Sequence, residues 1–232
     1  MFNGQLKRRT IALSTLILGL VTLTPTVSAA DKTIGILVYD GVLTSDVTAP
    51  LEVFGVASRL TWFSDYDVVT ISVTDTHTVT TEEGLKIGVD TWIGEAPPLD
   101  VLILTSSYDM DPLINNRSLI EYVASTAKQA EWMASNCSGA YLLAEAGVLD
   151  GKQATTWAGG ERDFQSDYPQ VNVLSDKNYV IDDKVLTSNG SLVSYQAALK
   201  LLNLMSSPSK AEEVQMHCNT LVFQAKLSNN KK

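Results

Sequence analysis

Apolar and polar positions along the chain switch between a strand rhythm and a helix rhythm. Continuous branched, apolar runs at residues 33–39 (TIGILVY) and 100–104 (DVLIL) read as buried strands. Residues 66–73 and 132–135 read the same way, and 78–81 with 85–89 form a hairpin around Glu82-Glu83-Gly84. Between these lie helical spacings. Residues 50–60 place Val53, Val56, Ala57 and Leu60 on one face, with Pro50 in the first turn. Residues 115–130 align Leu119, Tyr122 and Val123, and residues 139–146 form a helix that stops at Gly147. Further on, 154–157 reads as a strand, 171–174 and 179–181 as paired strands, and 185–187 as another. Residues 191–205 align Leu192, Tyr195, Leu199 and Leu202 on a helix, and Pro208 opens a last helix through Gln224.

This alternation predicts an α/β fold, with a mostly parallel central sheet covered by helices on both faces. The expected architecture is a flavodoxin-like three-layer sandwich. Ligands of such sheets bind in the crevice beyond the carboxyl ends of the strands. Cys137 follows the 132–135 strand, and the 40–50 segment follows the first strand, so both are expected at one crevice.

The N-terminus changes the picture of location. Lys7, Arg8 and Arg9 precede an apolar run, 11–23, that is short for a membrane span; Pro25 ends it, and Val27-Ser28-Ala29 is a small-x-small cleavage site. Residues 1–29 are therefore expected to be a signal peptide, with an uncleaved anchor as the alternative, and residues 30–232 a single domain. The expected location is periplasmic or secreted. No cysteine lies near the cleavage site to carry a lipid. Cleavage leaves 203 of 232 residues; the removed part holds three cations and no anion, so the net charge goes from −9 to −12. Such acidity, with no basic stripe, argues against nucleic acid as a partner.

Candidate chemistry centres on Cys137, one of two cysteines. A strand turning sharply into a helix lifts the turn side chain outward, as in a nucleophile elbow, and needs small neighbours; Ser138, Gly139 and Ala140 supply them. Backbone N–H groups at the helix start favour the thiolate, by about 0.3–1 kcal/mol at an exposed site. Spacing alone leaves two other readings open: a small buried cysteine, and a disulfide to Cys218. Asp46 reads equally as a helix-start residue.

The segment NCSGAYLLAEAGVLDGKQATTW resembles the cysteine elbow of the ThiJ/PfpI superfamily, whose fold is similar to the class I glutamine amidotransferases. IGILVYDGVLTSDVTAPLEVFG resembles the opening of the isonitrile hydratase branch and of ligand-binding domains in AraC-type regulators. The resemblance runs from Lys32 to Met205. It implies that Cys137 is the nucleophile, Ser138 the small hydroxyl residue after it, and Asp46 the acid lying against the cysteine. Like-charge repulsion between a carboxylate and a thiolate so placed leads to the expectation that Asp46 and Cys137 share a proton. It also implies a homodimer and no cofactor.

The chain departs from the family pattern at two places. Ser106 and Ser107, in LTSSYDM, stand where a glycine pair helps form an anion-stabilising pocket. Trp157, in ATTW, stands at or beside the position of a family histidine. Of the two histidines, His77 lies in a turn expected to face solvent and His217 on the last helix, so neither is expected to pair with Cys137. Trp92 and Trp132 read as core; Trp157 and Tyr108 are expected near the crevice. No metal ligand set is present in the pattern. The expected protein is a cysteine-dependent hydratase or hydrolase acting on a small electrophile, without a catalytic histidine. The alternatives are a non-catalytic small-molecule-binding domain and a redox-reactive thiol.

Overall fold

The computed structural model describes residues 32–60 and 66–218. The expected export segment therefore lies outside the described residues, as does the end of the last predicted helix. Strands β1 (Lys32–Val38), β2 (Tyr66–Ser72), β5 (Thr91–Trp92), β6 (Val101–Leu104), β7 (Trp132–Asn136), β10 (Tyr179–Asp182) and β11 (Val185–Ser188) form one seven-stranded sheet. The strand order is β10-β11-β7-β6-β1-β2-β5, and every pairing is parallel except β10 with β11. Two small ribbons flank it: β3 (Thr78–Thr80) with β4 (Lys86–Gly88), and β8 (Gln153–Ala154) with β9 (Asn172–Val173).

Helix α1 (Thr44–Leu60) packs against α6 (Val193–Met205) and α7 (Pro208–His217). On the other face α3 (Arg117–Ala127) packs with α2 (Asp111–Ile114) and α4 (Ala140–Glu145), while α5 (Glu161–Asp167) supports β9. The central strands are apolar on both faces, as a doubly covered sheet requires: Ile34, Ile36, Leu37, Leu102 and Leu104 are fully enclosed.

Several boundaries differ from the sequence expectation. Helix α1 begins at Thr44, so Pro50 lies inside it instead of in its first turn. A proline there cannot donate to the carbonyl four residues back, Asp46 O. That carbonyl instead accepts from the Asn136 side chain, Nδ2 to O 3.3 Å. The predicted 115–130 helix is the shorter α3, which starts at Arg117 because Asn116 caps it by accepting from Leu119 N. The 154–157 strand shrinks to β8, which pairs with β9; the 171–174 run does not pair with 179–181. Strand β10 pairs instead with β11. Leu192, placed on the buried face of the 191–205 helix, precedes α6 and is 84% exposed.

Candidate functional site

Four neighbouring parallel strands end at the same edge. The residues following β1, β6, β7 and β11 therefore converge: Asp46, Ser106, Cys137 and the Gly190-Ser191 pair. The chain runs from β1 to β2 on one side and later to β6 on the other, so this is also where the strand order reverses.

Cys137 leaves β7 with φ +52°, a left-handed conformation that costs a non-glycine residue about 1–2 kcal/mol. The surroundings hold it there. A side chain at Gly139 would press into the backbone that ends β6, coming within 2.8 Å of Thr105 O and closer still to Leu104 O. A side chain at Gly190, itself at φ +75°, would lie 2.5 Å from Cys137 Cβ. Thr156 Oγ1 donates to Cys137 O at 3.0 Å, and Ser138 Oγ donates to Ser107 O at 3.0 Å. The turn opens through one 3-10 turn, Cys137–Gly139, before α4. Helix α4 runs for only six residues, so its dipole adds little to thiol activation.

Asp46 is completely buried behind the cysteine. Its Oδ1 accepts from Ser194 Oγ (2.7 Å) and Ser191 N (3.1 Å), and Oδ2 accepts from Ser106 Oγ. Burial still outweighs these donors and holds its pKa above the usual carboxylate range. The Cys137 thiol is also pushed up, first by burial and then by the charge of Asp46. The Ser106 hydroxyl and the N–H and hydroxyl of Ser138 act the other way, favouring the thiolate. Among the described residues the Asp46 carboxylate accepts from three serines, and one of them, Ser106, is also the side chain that most favours the thiolate of Cys137. Tyr39 lies beneath, its hydroxyl donating to Thr105 O at 2.8 Å and held far from ionisation by burial.

Cys137 is partly exposed and opens into a cleft of about 790 Å³. Ser107, Tyr108, Ser138, Tyr141 and Trp157 line it. Tyr141 and Trp157 stack at 5.6 Å, forming an aromatic wall. Ser106 is not on this surface: it is fully buried, its hydroxyl turned to Asp46. His77 is exposed, and both cysteines are free, so no bridge joins Cys137 to Cys218. Ser191, Ser194, Asn136 and Tyr141 are site residues that the sequence pattern does not single out. The Asn189-Gly190 turn after a strand is the available signal for the first two.

A cysteine on a strained strand-to-helix turn, at the switch point of a doubly wound sheet and backed by a buried carboxyl, defines a cysteine-elbow α/β protein. Residues 32–204 match the DJ-1/PfpI family, and the chain belongs to it. It is 28% identical over 189 residues to an isonitrile hydratase of Pseudomonas putida, covering 79% of this chain and 76% of that one. It is also 25% identical over 171 residues to the HTH-type transcriptional regulator GbdR of Pseudomonas aeruginosa. There it covers 74% of this chain and 46% of the regulator, so it spans about half of that relative's length. Among solved structures, Drosophila melanogaster DJ-1beta superposes with TM-score 0.72 at 19% identity, over 81% of this chain and 97% of that one. A ThiJ/PfpI family protein from Pseudomonas syringae gives TM-score 0.72 at 22% identity, over 88% and 82%.

Proposed function

We propose that the protein is a cysteine-dependent hydratase of small electrophilic carbon centres, isonitriles above all, acting outside the cytoplasm. The observation that carries this reading is the Cys137–Ser106–Asp46 arrangement opening on the cleft. The likeness to the Pseudomonas putida isonitrile hydratase supports the substrate class. The basic, apolar and small-residue succession of the first 29 residues supports export. A homodimer is part of the same proposal, on the family resemblance.

The chemistry suits a thiol that is not already ionised. Sulfur bonds to the terminal isonitrile carbon, and the thiol proton passes through Ser106 to Asp46 and back to that carbon, giving a thioformimidate. Water then adds to the same carbon. The C–S bond breaks, sulfur regains a proton, and the product is the N-substituted formamide. The net change is addition of one water. Asp46 is suited to this shuttle because burial brings its pKa toward the working range.

The test is incubation with a small alkyl isonitrile. Formamide should appear, with a transient mass increase on Cys137 equal to the substrate, and Cys137→Ala should abolish both. Absence of formamide at every pH would overturn the hydratase reading. One observation favours a second reading, a binding domain without turnover: the thiol is raised, not activated, in its resting environment. In that case Cys137→Ala keeps ligand-induced thermal stabilisation while turnover is absent in both proteins. The raised thiol argues against a redox sensor, which depends on a low-pKa cysteine.

A further inference from the structure

The cleft has a chemical bias separate from its reactive sulfur. Three carboxylates line it, Glu83, Asp109 and Asp111, and among the described residues that line it none is Lys, Arg or His. Glu83 is held in place by Thr44: its Oε2 accepts from Thr44 N at 3.0 Å and Thr44 Oγ1 at 2.6 Å. These bonds hold it ionised, below the usual carboxylate range. Asp109 Oδ1 accepts from Asp111 N at 3.2 Å, which fixes the acid pair at the start of α2. The same cleft is lined by the Tyr141–Trp157 stack, with interplanar angle 24°, and by Tyr108, which is 80% exposed.

Aromatic faces attract cations through their quadrupole, and a concave wall of one charge sign concentrates ions of the other. An anionic ligand would meet three carboxylates with no cation among the described lining residues to balance it. A neutral ligand would leave the acids without a role in binding. We infer that the cleft selects an organic cation: a protonated amine or quaternary ammonium carried on an apolar body, the charge toward Glu83, Asp109 and Asp111 and the body on Tyr141 and Trp157. This rests on the reading of the cleft as the place where Cys137 meets its ligand, and it narrows the substrate class.

The test uses the full chain with Cys218→Ser, so that Cys137 is the one thiol. Its modification rate is compared for cationic, neutral and anionic methanethiosulfonates of matched size, each normalised to a free small thiol. The cationic reagent should be favoured over the anionic by roughly tenfold at low salt and less at high salt. E83Q/D109N/D111N should remove most of that ratio. D75N/D176N/E212Q, three exposed acids that do not line the cleft, should retain it. Benzylammonium should protect Cys137 better than benzyl alcohol and far better than benzoate, and Trp157→Leu should weaken that protection. Equal rates for the three reagents, or a ratio lost equally in both triple variants, would overturn the inference. The readout needs no turnover. Charge selection without formamide production sinks the hydratase proposal and leaves this one standing, whereas turnover without charge selection does the reverse.

Discussion

At the scale of single residues the site is a contest over one proton. Burial and the Asp46 charge raise the Cys137 thiol, while Ser106 and Ser138 stabilise its thiolate. Each influence can be removed separately. Asp46→Asn takes away the charge, so the thiol pKa should fall and alkylation at neutral pH should speed up. Ser106→Ala removes a hydroxyl that favours the thiolate, so the pKa should rise and alkylation should slow. Well below the pKa, a tenfold change in the acid dissociation constant changes the thiolate fraction, and with it the rate, by up to tenfold. Iodoacetamide rates against pH, in a Cys218→Ser background, measure both. An unchanged profile for Asp46→Asn would show that the two groups are not coupled.

At the scale of elements, the feature that registers the acid to the nucleophile is a break in helix α1. Pro50 leaves Asp46 O without its helical donor, and Asn136, the residue before Cys137, fills the place while its Oδ1 accepts from Ser188 Oγ at 2.7 Å. Asn136→Ala should therefore cost about 1–3 kcal/mol, the penalty for leaving buried groups unpaired. In a Pro50→Ala background the restored N–H can serve Asp46 O, so the same substitution should cost less. Urea unfolding of the four proteins measures this coupling; strict additivity would show that the two donors do not substitute for one another. Gly139→Ala tests the elbow itself. Its Cβ would meet backbone oxygen that cannot step aside, and a loss of about 1–3 kcal/mol or more is expected by the same unfolding measurement. These details also mark the limit of sequence reading. The elbow is legible because small residues follow a lone cysteine after an apolar run. Pro50 misleads because a proline within the first two turns looks the same as one that opens the helix. Nothing local to Asn136 or Ser194 announces a partner on another element.

At the scale of the molecule, the parallel sheet is legible because buried strands are apolar on both faces, and such runs stand out in the sequence. The pairing of 179–182 is not, since antiparallel partners are chosen by hairpin geometry and the sheet edge, and adjacent short runs compete for it. The same sheet supplies enough enclosed apolar surface to hold an unfavourable site: a left-handed cysteine above a buried carboxyl. That carboxyl ties global stability to pH. Because the Asp46 pKa is raised in the folded chain, the native state binds its proton more tightly than the unfolded chain does. Stability is then greatest below the unfolded value, about 3.9, and falls as pH rises through the window up to the folded value. Above that window the folded chain carries the whole cost of the buried charge. Asp46→Asn removes this cost while keeping the shape: its carbonyl oxygen can still accept from Ser191 N and Ser194, and the Ser106 hydroxyl can rotate to accept from the new amide. The variant should match the wild type at acid pH and become more stable toward neutral pH, the gap opening within that window. Paired urea melts across the pH range measure it. A variant less stable than wild type at neutral pH would mean that the three donors outweigh burial, and that Asp46 is a stabilised carboxylate and not a proton acceptor in waiting.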